Sequence, residues 1–189
     1  MPRTETIDVR GTEIELLSGG TGDALLFLHG VQGLSLQAGV WKDCLDSLAE
    51  TFHVLYPSHP EFGGSGRPEL CDTIEELAFH YLDLLDELGI EKAHVVGHSF
   101  GGWLAAELGM RHPSYVDRLV LSNPLGVWLT ESPVPDLFSL NAQQVVELAY
   151  QNQDIGQTAG MLSMNSLLSA MVARNCLQPI KDCPNIFPV

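Results

Sequence analysis

Short, uninterrupted runs of apolar residues alternate along this chain with segments whose apolar residues recur at helical spacing. Runs of the first kind are typical of strands buried on both faces of a parallel sheet, and segments of the second kind are typical of amphipathic helices. An alternating pattern at 6–17 predicts a hairpin, strand-like runs follow at 24–28, 54–56, 95–96 and 119–121, and helical patterns lie between them at 41–50, 73–88 and 103–108. This order predicts an α/β fold with a doubly wound, mostly parallel sheet.

The clearest of the predicted helices covers residues 73–88. Thr73 and Glu76 have the spacing of a capping box at its start, and Gly89 is a typical helix end. His80 lies among the polar positions of the same helix. We therefore expect the His80 side chain on the surface.

The pattern changes after residue 127, where a linker is followed by helical spacing with no strand between the helical segments. We divide the chain into a core at 1–127, a helical lid at 128–174 and an irregular tail at 175–189. The methionine and leucine side chains of the lid either line an apolar pocket or form ordinary helix-packing core. The sequence leaves both interpretations open.

A glycine-flanked serine stands where a strand-like run meets a helical pattern. Ser99 follows the apolar pair at 95–96 and precedes the helical segment at 103–108, with Gly97 and Gly101 two residues to either side. Glycine is needed at both positions because a tight strand-to-helix turn leaves no room for side chains. Such a turn lifts the hydroxyl clear of the sheet, and we predict Ser99 as a nucleophile.

Backbone amides near this serine predict an oxyanion hole. The amide of Phe100, at the start of the following helix, points toward an oxyanion formed there. The loop after the first buried strand supplies a second candidate amide, that of Val31. His29 and Gly30 in that loop, and His98 before the serine, are candidate binding residues. The His29 side chain either holds the loop backbone or transfers protons, and His98 is expected to point away from the hydroxyl.

The amino-acid composition limits the classes of molecule that the protein is expected to bind. Nine basic residues against 24 acidic ones give a net charge of −15, which argues against nucleic acid and anionic membranes as partners. We expect no secretory signal and no membrane span. The cysteines have neither Cys-x-x-Cys spacing nor neighbouring histidines, so we expect no metal site and no cofactor. A cytoplasmic location is the prediction that follows.

Several segments together resemble the α/β-hydrolase superfamily, and they occur in that family's order: 27–30, 60–65, 96–102 and 112–121. The resemblance implies an α/β-hydrolase core with its first six strands and a partial lid, but without the last two strands. The serine nucleophile is similar to that of the family's esterases and carbon–carbon bond hydrolases. Family members that cleave haloalkanes or epoxides place an aspartate there instead.

The loop at 58–68 departs from the family's usual sequence. Ser58 and Glu61 stand where an aspartate and a glycine are usual. Rich in glycine and proline, this loop is either packed against the core or forms the rim of a pocket. His59 within it would be an unusual source of a catalytic base.

The end of the chain departs further, because the superfamily orders its triad as serine, acid, histidine. After the serine the only histidine is His112, which about 12 helical residues at ~1.5 Å each place about 18 Å away. We therefore expect a C-terminally incomplete hydrolase whose nucleophile and oxyanion hole are present and whose triad acid and histidine are missing. The strand at 119–121 would then be an exposed apolar edge, open to self-association.

Three functions follow from these observations. The first is a serine hydrolase that acts on an ester, or on a carbon–carbon bond next to a carbonyl, in an apolar ester or ketone-like small molecule. The second is a non-catalytic protein that binds such a molecule. The third is an inactive truncated fragment.

Overall fold

The computed structural model describes residues 2–30 and 34–127, and beyond them 129–131, 140–141, 143–144 and 147, with side chains described throughout except at 34–40. The chain divides into two compact units, Met1–Gly126 and Val127–Val189. Almost all of the predicted lid and the whole predicted tail lie outside the described residues. The fold that follows is that of the first unit.

Strands and helices alternate along most of this unit. The strands are β1 (Arg3–Val9), β2 (Thr12–Gly19), β3 (Ala24–Leu28), β4 (His53–Pro57), β5 (Ala93–His98) and β6 (Val116–Ser122). The helices are α1 (Leu34–Leu48), α2 (Ile74–Glu87) and α3 (Phe100–Arg111), and a short 3-10 turn at Pro113–Tyr115 precedes β6. Every predicted strand and helix of the core is present.

The strands form one six-stranded sheet in the order β1-β2-β4-β3-β5-β6. The β1–β2 and β2–β4 pairs are antiparallel, whereas β4, β3, β5 and β6 run parallel to one another. The predicted fold class is therefore confirmed. Because the parallel strands end at the same edge of the sheet, the loops that follow β3, β4, β5 and β6 meet there.

The central strands are buried on both faces, as their apolar runs predict. Leu26 and Leu28 of β3 are fully buried on one face, and Leu25 and Phe27 are nearly so on the other. Phe27 packs edge-on against Tyr56 of β4 at a ring-centroid distance of 5.3 Å. This packing fixes the ends of β3 and β4 relative to each other.

The local signals for α2 are borne out. The Thr73 Oγ1 accepts a hydrogen bond from the Glu76 amide at 3.1 Å, and the Glu76 carboxylate accepts one from the Thr73 amide at 3.0 Å. Helix α1, by contrast, begins at Leu34 rather than near residue 41. A glycine at 39 and polar residues at 35 and 37 weaken the apolar periodicity of its first turns.

The surface position predicted for His80 is wrong. Its side chain is 6% exposed. The segment at 68–70 and the β1–β2 turn at Arg10 lie beside this part of α2, and with it they line a groove of about 370 Å³. Helical periodicity could not reveal that these two loops cover a side of α2 that carries polar residues.

Strand β6 lies at one edge of the described sheet. Its apolar residues Leu119, Val120 and Leu121 are 40%, 54% and 39% exposed, so the predicted exposed apolar strand is confirmed. None of the described helices combines the length and apolar character that a membrane span requires.

Candidate active site

Ser99 is the single residue between β5 and α3. Its backbone has φ 54° and ψ −115°, a conformation that residues with a side chain rarely adopt. Its amide donates a hydrogen bond to the Ser122 carbonyl at 2.9 Å, and its carbonyl accepts one from the Leu125 amide at 3.0 Å. The strained turn is therefore held by the last residue of β6 and by the chain that follows it.

The glycines on either side of Ser99 are required by close packing. A Cβ atom on Gly97 would clash with the Gly101 carbonyl oxygen and lie 2.7 Å from the Ala105 Cβ. A Cβ atom on Gly101 would clash with the Leu28 carbonyl oxygen. The first turn of α3 thus rests directly on the ends of β5 and β3, which is the geometry inferred from the sequence.

Phe100 is the first residue of α3, and its side chain is buried. The amides in the first turn of a helix have no acceptor within the helix, and Phe100 supplies the first of these amides in α3. Val31, the second predicted donor, lies outside the described residues. Gly30 just before it is described and is buried.

His29 and His59 form a buried pair at the ends of β3 and β4. Their ring centroids are 3.8 Å apart. The His59 amide donates to Nε2 of His29 at 2.9 Å, and Nε2 of His59 lies 2.7 Å from the His29 carbonyl oxygen. Nδ1 of His29 pairs with the Gly30 carbonyl, and Nδ1 of His59 pairs with the Tyr81 hydroxyl of α2.

Burial keeps both rings neutral. It lowers the pKa of His29 to about 4, against the opposing effect of the hydrogen bond to the Gly30 carbonyl. Burial, and secondarily the neighbouring His29, also hold the pKa of His59 well below its usual range. Of the two roles left open for His29, the contacts favour holding the loop backbone.

The His98 side chain contacts helix α1 and the end of β6. Its ring meets Trp41 at a centroid distance of 5.3 Å, and its Nδ1 lies 3.4 Å from the Ser122 Oγ. Burial lowers its pKa. His112 ends α3, with its ring 5.0 Å from that of Phe79.

The sequence contains seven histidines, and all of them are described. Within the described part of the chain, none of their ring nitrogens is hydrogen-bonded to the Ser99 hydroxyl. Among the described residues, no cluster of histidine, cysteine and carboxylate side chains is arranged to hold a metal ion. The structure therefore groups Ser99, Phe100, His29 and Gly30 at one edge of the sheet, and it adds His59 to them.

Sequence reasoning missed the part that Tyr81 and the loop after β4 play. Tyr81 lies within the predicted helix at 73–88, and its hydrogen-bond partner His59 is 22 residues away in sequence. The first part of that loop is packed: Ser58 and His59 are 0% and 1% exposed. Glu61, which stands where the resembling family usually has glycine, has φ 66°. The sequence could have predicted this positive φ, because a position that is usually glycine in the family is one where the backbone often has a positive φ.

Comparison with known proteins decides the family. A sequence profile described as the alpha/beta hydrolase fold matches residues 23–174. The chain belongs to the α/β-hydrolase family. A 2-hydroxymuconate semialdehyde hydrolase from a Pseudomonas species is 37% identical to it over 119 residues, which are 62% of this chain and 42% of that protein. The dihydrolipoyllysine-residue acetyltransferase component of an acetoin cleaving system from Cupriavidus necator is 36% identical over 120 residues, 63% of this chain and 31% of that protein.

Solved structures share the fold of this α/β-hydrolase chain. A meta-cleavage product hydrolase superposes with a TM-score of 0.70 at 22% identity, over 98% of this chain and 73% of its own. A naproxen esterase from Bacillus subtilis gives a TM-score of 0.68 at 19% identity, over 87% and 62%. The chain spans less than half the length of the curated relatives described above.

Proposed function

We propose that this α/β-hydrolase chain carries the nucleophile and oxyanion hole of a serine hydrolase. Its substrate would be an apolar small molecule with an ester, or with a carbon–carbon bond next to a carbonyl. The observation that carries the proposal is the backbone of Ser99, held at φ 54° directly before the helix that begins at Phe100. Backbone strain lowers the stability of the fold, and strained residues that the surrounding structure holds in place are concentrated at functional sites.

The reaction would begin with attack of the Ser99 Oγ on the substrate carbonyl carbon. The new bond forms as the carbonyl electrons move onto oxygen, and the hydroxyl proton passes to a base. The Phe100 amide and, in the proposal, the Val31 amide stabilise the resulting oxyanion. The intermediate then expels an alkoxide or a carbon leaving group, which takes up a proton, and water releases the acyl group from the serine.

The base is the part that the chain's own histidines do not provide. None of them is hydrogen-bonded to the Ser99 hydroxyl in the described part of the chain, and the ring nitrogens of His29 and His59 already have partners. The proposal therefore does not assign the role of triad histidine to any of these histidines. The triad acid, which would orient that histidine, is likewise assigned to none of the residues described above. Without a triad histidine and acid, Ser99 would keep only the residual rate enhancement of about 10³–10⁴-fold that binding and an oxyanion hole give.

The names of the related proteins support the hydrolase class. They include a 2-hydroxymuconate semialdehyde hydrolase, a meta-cleavage product hydrolase and a naproxen esterase. We further propose the division into a core at 1–127, a lid at 128–174 and a tail at 175–189; the boundary between the two compact units, after Gly126, supports its first division. We also propose a cytoplasmic location for the protein, and self-association through the exposed β6.

A fluorophosphonate probe tests the proposal directly. Stoichiometric labelling of Ser99 at neutral pH, located by peptide mass spectrometry, would support the proposal, because the probe needs both an activated hydroxyl and an oxyanion hole. Ser99→Ala should abolish the label. Ser47→Ala, at a serine in α1, should leave it unchanged.

Absence of labelling in the wild-type protein would contradict the catalytic proposal. The binding-protein alternative then predicts cooperative thermal unfolding that an apolar ester or ketone shifts upward. An inactive fragment predicts unfolding that is non-cooperative or dominated by aggregation. The same two measurements therefore separate all three functions.

A further inference from the structure

The hydrogen bonds of His59 fix which of its ring nitrogens carries the proton. Nε2 of His59 lies 2.7 Å from the His29 carbonyl oxygen, and a carbonyl oxygen can only accept. The proton is therefore on Nε2. Nδ1 is then an acceptor, and the Tyr81 hydroxyl donates to it.

His29 has the opposite tautomer. Its Nε2 accepts the His59 amide proton at 2.9 Å, so its Nδ1 carries the ring proton and donates to the Gly30 carbonyl. Every nitrogen of both rings is thus hydrogen-bonded. The chain of partners runs from the Tyr81 hydroxyl through two neutral imidazoles to the backbone that follows β3.

This chain of partners contacts the start of α3, which carries the Phe100 amide of the proposed oxyanion hole. The His59 ring meets the Phe100 ring edge-on at a centroid distance of 5.4 Å. The His29 carbonyl, to which His59 donates, faces the first turn of α3, where a Cβ atom on Gly101 would lie 2.5 Å from it. A shift of His59 would therefore move the end of β3 and the start of α3 relative to each other.

We propose that His59, oriented by Tyr81, is a positioning residue for the oxyanion hole: it holds the backbone after β3 in register with the Phe100 amide. The proposal rests on the serine hydrolase function proposed above. His59 does not touch the reacting atoms in this account. Its effect is on the distance between the Phe100 amide and the oxyanion, where an error of about 1 Å costs about 10²-fold in rate.

Ordinary core packing is the competing explanation, and it makes a different prediction. A packing residue changes stability when it is replaced, but it leaves the turnover of the folded fraction unchanged. A positioning residue changes kcat with little effect on KM, because the oxyanion forms only after substrate is bound.

The experiment compares Tyr81→Phe, His59→Gln and His59→Leu with the wild type in hydrolysis of p-nitrophenyl butyrate. We expect His59→Leu to lower kcat about 100-fold and Tyr81→Phe about 10-fold, with KM within about twofold. His59→Gln should recover most of the loss, because its side-chain amide can still donate to the His29 carbonyl. Tyr56→Phe is the matched control: it removes a buried tyrosine hydroxyl that has no hydrogen-bond partner among the described residues, and kcat should not change.

A second readout does not depend on activity. In uniformly ¹⁵N-labelled protein, NMR should show His29 protonated on Nδ1 and His59 on Nε2, and Tyr81→Phe should shift the Phe100 amide resonance. Equal kcat in Tyr81→Phe and Tyr56→Phe, or the opposite tautomers, would overturn the positioning role. A wild-type protein that neither turns over the ester nor reacts with the fluorophosphonate overturns the proposed function, and the NMR result then decides separately whether His59 sets the Phe100 amide.

Discussion

Ser99 carries backbone strain that its side chain cannot relieve. A residue with a Cβ atom in such a conformation costs about 1–3 kcal/mol, whereas glycine tolerates it. Both Ser99→Gly and Ser99→Ala remove the hydroxyl, but only glycine removes the strain. The greater freedom of glycine in the unfolded chain offsets about 0.5–1 kcal/mol of the gain. We therefore expect Ser99→Gly to unfold with a free energy about 1 kcal/mol higher than Ser99→Ala in urea titrations.

The same pair of substitutions at Ser122 provides a control. Ser122 ends β6 and does not have a positive φ. There we expect the order to reverse, with glycine less stable than alanine. If Ser99→Gly is no more stable than Ser99→Ala, the serine turn does not store strain.

Buried His80 makes stability depend on pH. Burial lowers its pKa from 6.5 to about 4 in the folded protein, and within the part of the chain that the structure describes its Nε2 has no hydrogen-bond partner. Between these two values the unfolded chain binds a proton that the folded chain does not, so the free energy of unfolding falls as the pH drops from 6.5 toward 4. The contribution of this one group is at most about 3 kcal/mol.

His80→Leu should remove this part of the pH dependence. We expect the difference in unfolding free energy between His80→Leu and the wild type to shift in favour of the variant as the pH is lowered through that window. Urea unfolding at neutral and acidic pH measures it. Phe79→Leu, which alters the neighbouring residue of α2 and keeps the histidine, should follow the wild-type profile. Parallel curves for His80→Leu and the wild type would contradict the assignment.

Helix α3 owes its position to the contact of its first turn with β3. Gly101→Ala places a methyl group against the Leu28 and His29 carbonyl oxygens, and we expect a loss of about 1–3 kcal/mol or more because backbone cannot move aside cheaply. Gly109→Ala lies in the same helix, but there the nearest atom is the end of the half-exposed Leu119 side chain at 3.0 Å. It should be neutral or stabilise α3 by about 0.5–1 kcal/mol. Thermal unfolding of the two variants checks this, and equal effects would mean that α3 does not rest on β3.

Elements were predictable from the sequence where their signals are local. The capping box of α2 and the apolar run of β3 involve residues adjacent in the chain, and both were predicted correctly. The start of α1 was missed because its first turns are weakly amphipathic. The burial of His80 and the Tyr81–His59 hydrogen bond depend on which loops, distant in sequence, pack against α2. The apolar periodicity of the helix does not predict these loops. For the candidate site, the serine turn was predictable because glycine spacing reflects backbone geometry directly.

At the scale of the whole molecule, the exposed edge of the described sheet is the feature most open to association. Val120 of β6 is 54% exposed, and a lysine on an edge strand opposes pairing with another chain. We expect Val120→Lys to shift the protein toward monomer in size-exclusion chromatography with light scattering. Leu70→Lys adds the same charge at a position 71% exposed and outside the sheet, and should have no such effect. A wild type that is monomeric at all concentrations would contradict association through β6.

The backbone hydrogen bonds that join Ser99 to Ser122 and to Leu125, one donated by the Ser99 amide and one accepted by its carbonyl, also have a consequence for the order of folding. The residues of the glycine-serine motif are adjacent in the chain, but the partners that hold the turn lie at the end of β6 and just after it, on the far side of α3 in the sequence. Parallel strand pairing of this kind forms late, because the chain between the two strands loses the entropy of loop closure before the pairing contributes. We therefore expect the backbone conformation of Ser99 to be fixed only when β5, α3 and β6 have packed together.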